Sequence, residues 1–294
     1  MTDPRTALVT GATQNLGRAL VEGLAAGMRP PDRVLLTGRR PDAVHDAVAA
    51  VAASVPDGAT VEGRVLDVRD GRAIDVLADE LGEVDIVFSN ATARMSPHED
   101  PADRVDAVAE TNNVATTRVL RAFAPRLRPG GRLVIVASAL GTLDKLDPRV
   151  RSRFAGAAEE SPAAVDRLVA DWRAAVRAGR AVSEGYGSWL NIPSKVAQVA
   201  AVRAVARERR DADLVDGTLI VALCPGLIDT EASRPWFEDM SAAQTPAQAA
   251  AWPVELVLAE LPADTLAGWY GELVQFGKVL PWETGVPVPH RATA

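Results

Sequence analysis

A single cysteine among 294 residues excludes an internal disulfide and suits a reducing cytoplasm, where the chain is expected. Apolar runs of membrane-spanning length are missing, and Met1-Thr2-Asp3-Pro4-Arg5 leads straight into a strand pattern. Neither a transmembrane segment nor a signal peptide is therefore expected. The net charge is −7 and no basic stretch offsets it, which argues against nucleic acid and anionic membrane as partners. Histidine is scarce as well, with three in the chain, and no metal is expected. Tyrosine occurs twice, as Tyr186 and Tyr270.

What the chain does have is apolar residues, 48% of the total, enough to bury a parallel sheet. Apolar runs at 34–37, 61–66, 86–89, 133–137 and 218–223 follow a first strand at Arg5-Thr6-Ala7-Leu8-Val9-Thr10. Between them lie segments of helical spacing at 16–27, 42–53, 71–81, 104–127 and 193–209. Strands alternating with helices predict the α/β class: a doubly wound parallel sheet of the Rossmann kind, covered on both faces. One domain over 1–294 is expected, with a helical insertion at 142–188, a lid at 227–250 and a loose tail at 283–294. Ligands of such sheets sit beyond the carboxyl ends of the strands. Gly11, Asn90, Ser138 and Pro225-Gly226 are thus expected to converge on one crevice.

Three motifs carry the function. The first strand runs into Gly11-Ala12-Thr13-Gln14-Asn15-Leu16-Gly17, which opens an Ala/Leu-rich helix. A buried strand, Arg132-Leu133-Val134-Ile135-Val136-Ala137, ends in Ser138, and Asn191-Ile192-Pro193-Ser194-Lys195 begins a later helix. Together these resemble the short-chain dehydrogenase/reductase family, with its TGxxxGxG loop, strand-end serine and YxxxK. The long insertion before Asn191 is similar to that of the carbonyl-reductase-like branch, where it covers the helix face used for tetramerisation, so a monomer is expected. The resemblance spans about 5–282.

The resemblance implies a cofactor site. Gly11 and Gly17 allow a tight turn and close approach of the helix, whose N-terminus favours phosphate. Thr13, Gln14 and Leu16 complete the loop, and Asn15 replaces the middle glycine as a residue that tolerates a left-handed backbone. After the second strand, Arg39 and the less certain Arg40 stand where an acid would select NAD, so NADPH/NADP+ is favoured. Two merely solvated arginines are the bland alternative. Asp67 and Val68 correspond to the adenine contacts. Asn90 and Ala91 retain part of the NNAG motif, where strand-end stabilisation competes with cofactor contact. Pro225, Gly226, Ile228 and Thr230 resemble the PGxxxT segment that holds the nicotinamide and phosphate. Cys224 beside them is read as core packing.

Ser138, Lys195 and Asn112 correspond to family catalytic positions, the last holding a water behind the lysine. A solvated polar helix pair with Asn113 is the competing reading for Asn112. The tyrosine of the family is Asn191 here, which releases no proton at useful pH but can donate a hydrogen bond to a developing oxyanion, as can Ser138. Neither Tyr186, Tyr270 nor His98 is a persuasive replacement acid. A substrate with a hydroxyl peri to its carbonyl can supply the proton itself. The expected activity is therefore NADPH-dependent reduction of a polycyclic aromatic polyketide ketone, similar to that of atypical angucyclinone ketoreductases in antibiotic biosynthesis. A non-catalytic NADP(H) sensor or scaffold, and a cyclase or dehydratase on the same fold, are the alternatives. Met95, Tyr186, Trp189, Trp236 and Phe237, with Ser138, are expected to contact a flat aromatic ketone.

Overall fold

A computed structural model of the chain describes residues 3–284. Its strands are β1 (Thr6–Val9), β2 (Arg33–Gly38), β3 (Thr60–Val65), β4 (Val84–Ser89), β5 (Leu127–Val136), β6 (Leu219–Leu223), β7 (Leu273–Gln275) and β8 (Lys278–Leu280). They form one sheet in the order β3-β2-β1-β4-β5-β6-β7-β8, with neighbours parallel apart from the β7–β8 hairpin. β1 and β6 are buried at every position, as a sheet packed on both faces requires. The chain leaves β1 for β2 and β3, then returns to β4 on the opposite side of β1. That reversal opens a crevice at the carboxyl ends of β1 and β4.

The helices are α1 (Asn15–Gly27), α2 (Pro41–Ser54), α3 (Gly71–Leu81), α4 (Pro101–Val108), α5 (Ala115–Phe123), α6 (Pro148–Glu160), α7 (Pro162–Arg177), α8 (Asn191–Val215), α9 (Pro246–Leu258) and α10 (Ala263–Trp269). Side-chain caps begin several of them: Asp70, Asp100, Asp147 and Ser161 each accept from a backbone N–H of the first turn. Thr245 and Gln248 form a reciprocal capping box at α9.

The helix expected at 104–127 differs. It starts at Pro101 behind the Asp100 cap and passes through a π-helical stretch, Ala109–Val114. It ends at Phe123, and Leu127 already belongs to β5. The extra residue per turn of the π stretch accompanies two inward-facing asparagines, Asn112 and Asn113. Within the stretch 227–250 expected as a lid, Pro246 onward is α9. Val254 and Leu258 of α9 lie where side chains on Gly23 and Gly27 of α1 would stand, so the helix is fastened to the body. Pro253 within α9 hides it from periodicity, and three-residue strands like β7 and β8 leave no alternating pattern to read.

The insertion forms α6 and α7, with Phe154 and Trp172 buried beneath them. Arg173 of α7 reaches Asp106 at 2.6 Å and Glu110 at 2.7 Å, and Arg177 reaches Asp106 at 2.8 Å, which ties the insertion to α4 and the π stretch. Of the tail expected from 283, the part beyond residue 284 lies outside the described residues.

Candidate active site

At the end of β1 the chain turns through Gly11 (φ +62°), where a Cβ would stand 2.7 Å from the Cα of Ala91. A Cβ on Gly17 would fall 2.3 Å from the Gly11 carbonyl oxygen. Both glycines are thus fixed by close backbone approach. Asn15 has φ +49°, the left-handed conformation expected of it. Thr13 packs its methyl over Gly38, Gln14 and Asn15 face solvent, and the Leu16 side chain is buried. Asn90 closes the loop: its amide donates to the carbonyls of Thr10 (3.1 Å) and Gly11 (3.0 Å). Its backbone N–H and that of Ala91 donate to the Thr10 hydroxyl. The Asn90 amide is therefore a clasp between β4 and β1. The loop leads into a helix N-terminus with no acid in its first turn, features that fit a pyrophosphate.

Arg39 is exposed at the end of β2 and its charge is felt by Asp67. Arg40 is exposed as well, and its guanidinium is paired with Asp42, the first acid of α2, at 2.9 Å. Asp67 likewise does not stand open: Arg69 donates to both carboxylate oxygens, at 3.0 and 2.5 Å, and holds the carboxyl below its usual range. Val68 is buried.

On the other side of the switch, Ser138 follows β5 and its hydroxyl accepts from the Leu140 N–H. The turn after it packs on α8, where a Cβ on Gly141 would come within 3.1 Å of the Lys195 carbonyl oxygen. Asn191 opens α8 half-buried, and among the described residues its amide has no hydrogen-bond partner. Lys195, one turn on, is 9% exposed. Its Nζ donates to the carbonyl of Val136 (3.2 Å) and to Oε1 of Gln198 (2.8 Å). Burial draws its pKa down from 10.5 to about 8, with the nearby Cys224 acting weakly the other way.

Asn112 and Asn113 are 0% and 3% exposed, so the solvated-pair reading is overturned. Asn112 Oδ1 accepts from Ala93 N (2.8 Å) and Thr92 Oγ1 (3.1 Å), and its Nδ2 donates to Ser194 Oγ (3.3 Å). The interior, with its few polar partners, holds the pair tightly to the β4 loop and α8. Cys224 is buried, and its Sγ accepts from Ala139 N and Gln275 Nε2, both at 3.1 Å. Gln198 and Gln275 were missed in the sequence. Gln198 was accessible through its i, i+3 spacing from Lys195 on one helix face.

After β6, Pro225 is buried and Gly226 has φ +86°. Gln244 zips this loop by bonding the Pro225 and Leu227 carbonyls and pairing with Ile228. The Thr230 hydroxyl lies 3.1 Å from Ser233 Oγ in a local turn.

The substrate-wall residues only partly converge. Met95, Trp189 and Trp236 line a cavity of about 190 Å³ with Ser96, Glu99 and Arg104. The two indoles stack at 5.3 Å between centroids and 23° between planes, and Trp236 Nε1 donates to the Met95 carbonyl. Phe237 does not line this cavity. Tyr186 edges a second hollow of about 360 Å³ beside Ile192, but at 2% exposure its ring belongs to the insertion core. It sits edge-on to Phe154, and its hydroxyl is bonded by Arg153, since a buried phenol requires a partner. Tyr270 is remote, its hydroxyl donating to Asp213 near the far end of α8. His98 is exposed and does not line the cavity.

The family profile described as short chain dehydrogenase matches residues 5–146. Carbonyl reductase [NADPH] 1 of Sus scrofa is 29% identical, covering 96% of this chain and 95% of its own. The putative daunorubicin C-13 ketoreductase of Streptomyces sp. (strain C5) is 31% identical, covering 49% of this chain and 50% of its own. Salutaridine reductase from Papaver somniferum superposes with a TM-score of 0.74 at 20% identity, covering 92% of this chain and 99% of its own, which supports the fold. Among the described residues no helix is long and apolar enough to cross a membrane, and no cluster of His, Cys, Asp and Glu suits a metal ion.

Proposed function

We propose that this chain is a short-chain dehydrogenase/reductase, an NADPH-dependent ketoreductase acting on a polycyclic aromatic polyketide ketone of the angucyclinone type. The substrate's own hydroxyl takes the part of the missing phenol. The observation that carries this reading is the pairing of Asn191 and Lys195 one turn apart on α8, while both tyrosine hydroxyls are committed elsewhere, Tyr186 to Arg153 and Tyr270 to Asp213.

The loop 11–17 at the head of α1 fits a dinucleotide pyrophosphate, since it opens a helix N-terminus with no acid in its first turn. Backbone groups of that loop would hold the phosphates, Arg39 the 2′-phosphate and Lys195 the ribose hydroxyls. NADPH, the cofactor named for the carbonyl reductase relative, supplies a hydride to the carbonyl carbon when bound. As the carbonyl oxygen gains charge, Ser138 Oγ and the Asn191 amide donate hydrogen bonds to it. A peri-hydroxyl already bonded to that oxygen delivers the proton, and the resulting phenolate takes one from water. A positioned general acid is worth about 10²–10⁴-fold, which sets what the substrate must supply. The stacked Trp189 and Trp236 support a flat substrate, and the daunorubicin ketoreductase relative supports a ketone. The chain acts as a monomer, with α7 ion-paired over α4.

The test is NADPH oxidation across a panel of anthraquinone- and angucycline-type ketones, each with its peri-hydroxyl methyl ether. Turnover should fall at least about a hundredfold on methylation. Equal reduction of the ether would refute the substrate-borne proton, and product formation with constant nicotinamide absorbance would point to a cyclase or dehydratase.

A further inference from the structure

The Lys195 ammonium is held by a chain of neutral groups. Gln198, 3% exposed, accepts from Nζ through Oε1 at 2.8 Å and donates from Nε2 to Thr116 Oγ1 at 3.1 Å. Thr116 Oγ1 in turn donates to the Asn112 carbonyl at 2.6 Å. This sequence admits one arrangement only. The ammonium can only donate, so the amide must turn its oxygen to Lys195. The Thr116 proton is spent on the Asn112 carbonyl, so that hydroxyl must accept from the amide nitrogen.

We propose that Gln198 is a positioning residue of the active site, a neutral strut that holds the Lys195 ammonium at the crevice edge and sets its charge state. The proposal rests on reading the crevice as an NADPH site. Gln198 Oε1 and the Val136 carbonyl occupy two of the three ammonium protons, leaving the third for a ribose hydroxyl. A carboxylate in place of the amide would clamp the ammonium in a buried ion pair, and an apolar side chain would leave a donor unpaired. The groups facing Nζ are otherwise uncharged. β5 offers the Val136 carbonyl, and α5 and the π stretch offer Thr116 and Asn112. The end of β6 offers the Cys224 thiol, which burial pushes up and which Gln275 of β7 contacts. Burial without an acidic partner accordingly leaves Lys195 at about 8, protonated at neutral pH but close to its limit.

Lysine occurs three times, at Lys145, Lys195 and Lys278, so 13Cε-labelled lysine gives separable NMR signals, with Lys195 assigned by Lys195→Met. NADPH affinity is followed in parallel by fluorescence titration across pH. The wild-type Lys195 signal should titrate near its pKa of about 8, with NADPH binding weakening above it. Gln198→Glu should move the midpoint to about pH 9 or above and extend tight binding to the same pH. Gln198→Met, of matched length, should move it down and weaken NADPH about tenfold at pH 7.5. Thr116→Val should move it less, in the same direction as Gln198→Met, and carries the test if a Gln198 variant fails to fold by circular dichroism. Folded variants that leave both midpoint and affinity profile as in the wild type would reduce Gln198 to packing and overturn the proposal. A wild type that binds no NADPH would overturn the cofactor reading, while the Lys195 midpoint would still judge Gln198.

Discussion

At Asn15 the backbone adopts φ +49°, which costs most L-residues roughly 1–2 kcal/mol and which asparagine relieves by local hydrogen bonding. This is why the loop survives without the family's middle glycine, and it was legible from residue type alone. Asn191 was equally legible as a loss, but its unbonded amide was not, because hydrogen-bond partners across more than fifty residues leave no local trace. Arg39 and Arg40 are adjacent in sequence and both exposed, and only the fold shows that Arg40 pairs with Asp42. If Arg39 binds a 2′-phosphate, Arg39→Ala should weaken NADPH by about 10- to 100-fold, the range for a charge-assisted hydrogen bond, and leave NADH nearly unchanged. Isothermal titration with both cofactors checks this, and equal losses would refute the assignment.

At the scale of elements, the loop after β6 is fastened to the loop after β4 at two points. Trp236 donates to the Met95 carbonyl, and Glu231 pairs with Arg94 at 2.7 Å. The second contact is exposed and worth little. The indole stack on Trp189 contributes about 0.5–1.5 kcal/mol beyond its buried area. Trp236→Ala should therefore open the lid, raising KM for an aromatic ketone about three- to tenfold. Its accompanying signature is faster tryptic cleavage within 227–240. Unchanged KM and cleavage would make the stack incidental. The main helices and six of the strands were readable from their apolar spacing, which in β1, β2, β4 and β6 goes with nearly complete burial. α9 and the β7–β8 hairpin were not, since Pro253 and three-residue strands carry no periodicity.

For the molecule as a whole, buried and paired groups set opposing pH effects. Lys195 has a folded pKa of about 8 against 10.5 for the free side chain, so the folded state binds fewer protons in that window and stability rises with pH from about 8. Cys224, pushed above 9.0 by burial, opposes this once the unfolded thiol ionises. Melting temperature should accordingly rise between pH 8 and 9 while NADPH affinity falls, and Lys195→Met should abolish the rise. On the acid side Asp147, hydrogen-bonded by Arg149, has a pKa of about 2 against 3.8, so its contribution is lost as pH falls through about 2. Sedimentation should give the mass of one 31.0 kDa chain, because α7 covers the α4 face. A stable dimer would refute the monomer.

The order of residues by itself determined the class of fold, the cofactor loop and the absence of a phenol at position 191. Each of these is written in contiguous motifs whose backbone demands are local. Only the tertiary structure decided where the two remaining tyrosine hydroxyls go, that Arg40 pairs with Asp42, and that an amide supports the lysine. Those outcomes depend on pairings between α8, the π stretch, the insertion and the ends of β5 and β6. Burial leaves polar groups there no partners except one another.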